Sequence, residues 1–423
     1  MKIKILAIII IGFSLFSCTD TCRQVRTYRS SRPFNIGQES LAKSIGSVAP
    51  QNLKIPGKIY VYGDYLLISE IKKGIHVIDN SDPKNPKNIS FITVPGVLDM
   101  AVKDDILYVD NYTDLVSLSI ADPRNIKEVG RKQLQFNYGL YEGSSWYYNP
   151  GNRIITDYEP VILTEEIKVS CENGTYLGPQ PYYGWDTFNN FEGSKASQGS
   201  TAGSGTGTGG SMARFTIYDN YLYSATNSDL LVFSIKNKTT PDSLTKINLG
   251  WGIETIFPYK DKLFIGSNTG MYIFDNANPA KPTRLSIFEH ARACDPVVVE
   301  GNTAYVTLRQ GFCGAAPNRL DVVDITNLSF PRIIKNYPME NPHGLSIEKN
   351  KLTICEGKFG LKSFDASNNL DIKLLQHIKE IEAFDVIQVP NNLLIIVGKN
   401  GIFQYDNTNA SNLKLLSSIL VNK

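Results

Sequence analysis

One short pattern recurs along this chain and limits its fold more than any other feature of the sequence. Each copy has a run rich in Val, Ile, Leu and Tyr, a turn of Gly, Asn or Asp, and a second such run, often followed by Asp-Pro or Asn-Pro. Seven copies are found, and their first runs begin at or beside Asp64, Asp105, Asn220, Lys262, Thr303, Lys351 and Leu393. Most copies lie about 40 residues apart, which is the period of a four-stranded propeller blade.

This period predicts an all-β fold, because short apolar runs separated by turn residues are typical of strands. We expect a seven-bladed β-propeller of four-stranded antiparallel blades over residues 57–423. A solenoid or a sandwich also contains alternating strands. Four strands per period and a closed count of seven favour the propeller, in which blades packed around an axis bury both sheet faces.

Two of the copies resemble a known repeat. Gly-Ile-His-Val-Ile-Asp-Asn-Ser-Asp-Pro at residues 74–83 and Leu-Asp-Val-Val-Asp-Ile at 320–325 look like the LVIVD repeat, a propeller family of exported and surface proteins of bacteria. The segments 293–299 and 341–345 look like a lipoprotein subgroup of that family. The resemblance covers roughly residues 57–423 and implies the propeller fold. It implies no catalytic residue.

The N-terminus predicts export. Lys2 and Lys4 precede an apolar run that is too short to span a bilayer, which needs about 20 residues, and that has the size of a signal-peptide core. Leu-Phe-Ser-Cys at residues 15–18 resembles a lipobox, although Phe16 departs from the commonest pattern. The resemblance implies cleavage after residue 17, lipidation of Cys18, a lead-in over 18–56 and attachment to the outer membrane. The alternative is an ordinary cleaved signal with a chance cysteine.

Charge and cysteine content exclude several classes of partner and site. The 43 basic and 41 acidic residues nearly balance, so nothing indicates nucleic-acid binding. The six cysteines show no zinc-ligand spacing. Cys294 and Cys313 flank one strand and a loop of the same repeat, so we expect them to form a disulfide in an oxidising compartment. Two free thiols are the alternative.

A long insertion, residues 137–212, separates the second repeat from the third. Its first part is aromatic, and its end, Gly193 to Gly210, has the Gly-Ser-Thr composition of a flexible linker. One interpretation is an arm with contact residues. The other is a small hairpin, 153–156 with 162–170, that packs its aromatics on the propeller wall. In the lead-in we expect one short helix within residues 38–45. The candidate aromatic contacts are Trp146, Tyr147, Tyr148, Tyr182, Tyr183 and Trp185.

Near the start of the first strand, every repeat has an ionisable residue. We expect these side chains to ring one mouth of the central channel, on the face that the insertion also crosses. A water-filled channel that merely tolerates paired charges is the alternative. His343, Asp295 and Asp385 contain metal-ligand atoms, but the sequence does not place them together, so no metal or cofactor is predicted. The candidate ring consists of Lys58, Asp99, Arg214, Glu254, Asp295, His343 and Asp385.

Taken together, these features favour a membrane-anchored, non-enzymatic propeller that binds a protein or a glycan. An enzyme, a hydrolase or a lyase, using the ring carboxylates and His343 is the alternative. A structural part of a surface assembly is a third. No serine-histidine-acid set and no phosphate-binding loop follows a strand. We expect the Asp of the repeated Asp-Pro turns to cap turn backbone.

Overall fold

A computed structural model describes residues 21–141, 144–171, 197–198, 208–290, 292–293, 296–310, 317–389 and 391–422. Across these ranges the fold is all-β, as predicted, with a single four-residue helix, α1 (Gln38–Leu41). The helix falls inside the predicted 38–45 segment but is only half as long. No helix in these ranges is long and apolar enough to cross a membrane.

The strands, in chain order, are β1 (Thr21–Gly37), β2 (Gly46–Val48), β3 (Pro56–Tyr62), β4 (Tyr65–Glu70), β5 (Gly74–Asp79), β6 (Lys87–Thr93), β7 (Met100–Lys103), β8 (Ile106–Asn111), β9 (Asp114–Ser119), β10 (Lys127–Lys132), β11 (Tyr138–Tyr141), β12 (Ser144–Asn149), β13 (Ile154–Ser170), β14 (Ser197–Gln198), β15 (Thr208–Ser211), β16 (Phe215–Tyr218), β17 (Tyr221–Ala225), β18 (Asp229–Ser234), β19 (Asp242–Asn248), β20 (Ile253–Tyr259), β21 (Lys262–Ser267), β22 (Gly270–Asp275), β23 (Thr283–Glu289), β24 (Val297–Glu300), β25 (Thr303–Leu308), β26 (Arg319–Asp324), β27 (Arg332–Pro338), β28 (Leu345–Glu348), β29 (Lys351–Cys355), β30 (Leu361–Asp365), β31 (Lys373–Ile378), β32 (Ala383–Val389), β33 (Leu393–Gly398), β34 (Gly401–Asp406) and β35 (Lys414–Leu420).

Each sequence repeat forms a meander of four antiparallel strands, and we number these repeats 1 to 7. They are β3–β6, β7–β10, β16–β19, β20–β23, β24–β27, β28–β31 and β32–β35. The turn residues act as predicted. Asp82 Oδ1 accepts the Lys84 amide at 3.0 Å, and Asp122 Oδ1 accepts the Arg124 amide at 3.1 Å. The Asp of the Asp-Pro turn is therefore structural, because its carboxylate caps the turn backbone.

Consecutive repeats contact one another through their first strands. β3 contacts β7, β7 contacts β16, and the series continues through β20, β24 and β28 to β32. β3 of repeat 1 also contacts β33 of repeat 7. Apolar residues of the first and last repeats, including Ile59, Leu66, Ile395 and Ile402, form one buried cluster. The repeats thus bury their sheet faces against each other, which a single meander cannot do.

A hydrogen bond between a side chain of one repeat and the turn backbone of the next joins each neighbouring pair of repeats. Ser90 Oγ donates to the Pro123 carbonyl at 2.6 Å, and Ser417 Oγ of the last repeat donates to the Pro83 carbonyl of the first, also at 2.6 Å. The last repeat is therefore joined to the first by the same bond that joins neighbours along the chain. In four of the other five pairs a side-chain hydroxyl likewise donates to a turn carbonyl, Tyr108 to Lys238, Thr245 to Ala280, Ser286 to Leu328 and Tyr337 to Asn369. In the fifth pair, the Leu413 amide donates to Gln376 Oε1.

The first part of the insertion forms a further sheet with the lead-in, in the order β1-β13-β12-β11. Residues 154–170 are one continuous strand, so the hairpin predicted for 153–156 with 162–170 is wrong. Pairing of β12 with β13 and of β13 with β1 takes the place of that hairpin. Trp146 on β12 is buried and meets Tyr112 edge to face, with ring centroids 5.5 Å apart.

The described residues separate into two compact units. One contains residues 21–34 and 157–171, and the other contains the remaining residues from Asn35 onward. In the first unit, two strand segments form a ribbon that is closed by a Cys22–Cys171 disulfide, with Cα atoms 5.0 Å apart. The ion pair of Arg32 with Glu159, at 2.6 Å, also crosses the ribbon. The sequence analysis did not predict this disulfide. Its own candidates, Cys294 and Cys313, lie outside the described residues.

Two distant segments extend the sheet of repeat 1, giving the order β14-β15-β3-β4-β5-β6-β2. At the outer edge, β2 of the lead-in pairs with β6, and Gly46 faces Thr93. At the inner edge, β15 pairs with β3, and Gly209 faces Tyr60. The Gly193–Gly210 tract is therefore not only a flexible linker, because its described residues lie in β14 and β15.

Candidate functional site

The fold places the described members of the candidate ring at corresponding points of six repeats. Lys58, Glu254 and Asp385 lie in first strands, and Asp99 and Arg214 lie just before first strands. His343 precedes β28 by two residues. Asp295 lies outside the described residues.

The ring members differ in exposure. Asp99, His343 and Asp385 are buried, with exposed fractions of 3%, 1% and 0%. Lys58, Arg214 and Glu254 are half-buried. A ring of uniformly solvated charges is therefore the wrong description of these six residues.

The end of the insertion contacts several ring members. Ser211, the last residue of β15, donates from Oγ to Asp385 Oδ1 at 3.3 Å and accepts the Leu345 amide at 2.7 Å. The Lys58 ammonium donates to the Met212 carbonyl. Because Leu345 belongs to repeat 6 and Asp385 to repeat 7, Ser211 joins the insertion to the first strands of both.

A glycine makes this junction possible. A Cβ atom at Gly344 would lie 2.0 Å from Asp385 Oδ1, far inside van der Waals contact. Glycine is therefore the residue that lets the Asp385 carboxylate sit against the backbone before β28.

Asp99 and Asp110 form a buried acidic pair in repeat 2, and Asp99 joins this repeat to repeat 3. Asp99 accepts the Met100 and Phe215 amides at 2.7 and 3.2 Å, and also accepts the Arg214 amide. Asp110 Oδ1 accepts the Asp99 amide at 2.9 Å. Burial raises the pKa of Asp110 to about 7, and burial also raises the pKa of Asp99. Burial lowers the pKa of Arg214, against the opposing effect of nearby carboxylates. These carboxylates hold loop backbone in place.

His343 is fixed by its own backbone and by neighbouring side chains. Its amide donates to the Cys355 carbonyl at 2.7 Å, and its carbonyl accepts Thr307 Oγ1 at 2.8 Å. Its Nε2 lies 3.1 Å from Asn341 Nδ2. Within the described ranges, no three His, Cys, Asp or Glu side chains form a group that could hold a metal ion.

The candidate aromatic contacts divide into three kinds. Trp146 is buried, and Tyr148 donates from its hydroxyl to Gln38 Oε1 at 3.2 Å. Tyr147 is 43% exposed, so of these three it is the one that presents a large surface to solvent. Tyr182, Tyr183 and Trp185 lie outside the described residues, as does Cys18.

The sequence analysis missed a more exposed aromatic residue. Trp251 is 59% exposed, and its ring centroid lies 5.5 Å from that of Tyr138 on β11. Arg214 lies beside the same strand, because its Nη1 is 3.4 Å from the Leu140 carbonyl and 3.4 Å from Asn227 Oδ1. The insertion therefore contacts the ring at Arg214. The signal for Trp251 was the Gly-Trp-Gly sequence in the loop before β20.

Sequence comparison identifies the repeat. The family model of the LVIVD repeat matches residues 57–92 and 291–338. The chain therefore carries LVIVD repeats in these two segments, as its resemblance implied. No curated protein matches the sequence.

Several solved structures have a similar fold. The Pseudomonas aeruginosa periplasmic gluconolactonase PpgL superimposes with a TM-score of 0.50 at 10% identity, covering 90% of this chain and 97% of that one. BamB from Moraxella catarrhalis gives 0.43 at 8% identity, over 83% and 96%. The WD40 β-propeller domain of Doa1 gives 0.45 at 9% identity, over 84% and 93%. The adjoining four-stranded meanders make the fold of this chain β-propeller-like, and identities this low carry no information on activity.

Proposed function

We propose that this chain is a non-enzymatic binding or scaffold module of the cell envelope, built as a closed seven-bladed propeller and anchored by a lipid on Cys18. The closed ring of seven is supported by the recurring junction bond. That bond returns from Ser417 to Pro83 after the seventh meander.

The lipoprotein part of the proposal rests on the N-terminal sequence. The apolar run followed by Leu15 to Cys18 has the form of a signal with a lipidation site. Lipid attachment to the outer membrane and membership of the lipoprotein subgroup belong to the same proposal. A Cys18→Ala change, or globomycin treatment, tests it: the protein should lose lipid labelling and leave the membrane fraction. Unchanged partitioning of the variant would contradict the anchor.

The observation that carries the binding function is the hydrogen bonding of three buried carboxylates that lie in the ring or beside it. Asp99 and Asp110 accept backbone amides, and Asp385 accepts the Ser211 hydroxyl. A carboxylate used for proton transfer must reach the reacting group, whereas these oxygens hold loops and the insertion in place. Exposed aromatic rings nearby, Trp251 and Tyr147, are suited to contact rather than to chemistry.

The test is a saturation experiment with the full chain carrying Cys18→Ala. Radiolabelled protein is added to isolated cell envelopes that have been treated with protease, with periodate or with neither. We expect saturable binding that one of the two treatments abolishes, which assigns a protein or a glycan partner. After a long incubation, the envelope material is also examined by mass spectrometry. Cleavage that increases with time and requires the protein would show that it is an enzyme and would contradict the proposal.

A further inference from the structure

The backbone conformation of its loop keeps the Trp251 side chain exposed. Gly250 and Gly252 have φ angles of 85° and 99°, in the left-handed region that favours glycine. The Gly252 amide donates to the Asn227 carbonyl at 2.8 Å, and its carbonyl accepts the Asn268 amide at 2.8 Å. A Cβ at Gly252 would fall 2.3 Å from Asn268 Oδ1. The loop is therefore held in one shape that directs the indole outward.

A single exposed apolar side chain needs no explanation in itself. Trp251 differs because a second ring from the insertion, that of Tyr138, lies beside it at an interplanar angle of 54°. The two rings come from parts of the chain more than a hundred residues apart. Together they form an aromatic platform, which we define as Trp251 and Tyr138.

Polar groups of both signs lie beside this platform. The Arg214 guanidinium is close enough to Tyr138 and to Glu254 for both to raise its pKa against burial. The Asn227 side-chain oxygen is 3.4 Å from Arg214 Nη1. The platform therefore borders the Arg214 guanidinium, which donates, and contains the Tyr138 hydroxyl, which both donates and accepts.

This combination fits one class of ligand. A pyranose ring has an apolar C–H face that stacks on an aromatic ring and a rim of hydroxyls that both donate and accept. A protein partner would need about 800 Å² per side, whereas two aromatic side chains expose far less. The opposed charges of Arg214 and Glu254 favour a neutral ligand over a nucleic acid, which requires a positive surface.

We propose that Trp251, Tyr138 and Arg214 form a subsite for one pyranose ring of a neutral glycan. The inference rests on the proposed binding function and names the ligand class for it. Trp251 supplies the stacking face. Arg214, which Asn227 Oδ1 holds beside β11, donates to the ring hydroxyls.

The experiment measures binding of four soluble probes, cellohexaose, xylohexaose, laminarihexaose and chitohexaose, to the full chain with Cys18→Ala by calorimetry. At least one probe should bind. Trp251→Ala should weaken that binding by about tenfold or more, since a central Trp is a typical hot spot. Trp251→Phe should restore most of it. Phe330→Ala is the matched control, because Phe330 is 77% exposed and lies in a turn of repeat 5; it should bind as the parent does.

Two results would overturn the subsite while leaving the binding function standing. One is the absence of binding for all four probes, and the other is equal binding by Trp251→Ala and its parent. Circular dichroism of each variant confirms that the fold is kept. Shortening of a bound probe, seen by mass spectrometry, would instead contradict the non-enzymatic function and leave the subsite in place.

Discussion

The repeats and the insertion pair their strands over different distances. In repeat 1, Tyr65 of β4 faces Asp79 of β5 across a short turn. In the insertion, β15 reaches back to β3, where Thr208 faces Val61, and β13 lies beside β1, with Cys171 bonded to Cys22. Local pairing is specified by turn residues and by alternation of apolar side chains. Distant pairing depends on complementary surfaces of segments far apart in the chain, which no turn sequence specifies.

The largest effect on stability is expected for the Cys22–Cys171 disulfide, which links two distant segments. Replacing both Cys22 and Cys171 by Ser removes a link between residues 149 positions apart. A disulfide that closes a loop of this length lowers the conformational entropy of the unfolded chain and so stabilises the folded one. Without it, we expect the free energy of unfolding to fall by about 4 kcal/mol. Denaturant unfolding measures it, and reducing agent should lower the stability of the parent more than that of the variant.

A fall in the free energy of unfolding of less than about 1 kcal/mol would contradict this expectation. It would mean that the ribbon of residues 21–34 and 157–171 opens separately from the repeats, so that its link does not contribute to their stability. The two compact units make this outcome informative.

Trp146 tests whether the insertion belongs to the core of the repeats. It is 1% exposed and belongs to the same buried cluster as Val109 and Leu115 of repeat 2. Trp146→Ala should therefore lower the free energy of unfolding by about 3–4 kcal/mol. Tyr147, its exposed neighbour in sequence, is the matched control, and Tyr147→Ala should change stability by less than about 0.5 kcal/mol. Equal effects of the two changes would contradict a core role.

Features that depend on local pairing could be predicted from the sequence, and features that depend on distant pairing could not. The meanders and the Asp turn caps were predictable, because each depends on residues a few positions apart, such as Asp82 and Lys84. The strand at Thr208–Ser211 was not, because Gly, Ser and Thr are also typical of linkers. Here small residues lie against the first strands of the repeats, where Ser211 is 1% exposed.

The candidate site was partly predictable for a related reason. Aligning the repeats located Asp99, His343 and Asp385, since equivalent positions in a repeat occupy equivalent places in the fold. Their burial was not predictable, because it depends on the end of the insertion and on contacts such as that of Ser211 with Asp385. Trp251 was missed because no other repeat has an aromatic residue at the equivalent place, three residues before its ring position.

Gly344 tests the junction between the insertion and repeats 6 and 7. Gly344→Ala places a methyl group against the Asp385 carboxylate, so the Ser211 bond and the adjoining backbone must shift. We expect a loss of about 1–3 kcal/mol, the usual range for overpacking. Gly37→Ala is the control, since a Cβ at Gly37 meets no atom within 4 Å. Identical unfolding midpoints for the two variants would show that this junction tolerates displacement.

The last test is at Asp110, where the sign of a pH dependence decides the outcome. The folded state raises the pKa of this carboxyl from 3.8 to about 7, chiefly through burial, so between these values the folded chain binds more protons than the unfolded chain. The contribution of Asp110 to stability is therefore most favourable below about pH 4 and declines as the pH rises to about 7. The pKa of about 7 already includes the lowering effect of the Leu98 and Asp99 amides, so the shift of about three pKa units corresponds to a decline of about 4 kcal/mol between these pH values. Asp110→Asn keeps the acceptor oxygen and removes the charge, so unfolding measured from pH 4 to 8 should lose this decline and stability at pH 8 should not fall.

Asp79 is the control of opposite sign. Its pKa is lowered by the Ser81 hydroxyl and amide, so Asp79→Asn should alter the profile only in the acid range. An unchanged profile for Asp110→Asn would mean that Asp110 remains ionised across this range, with its charge compensated by the groups around it.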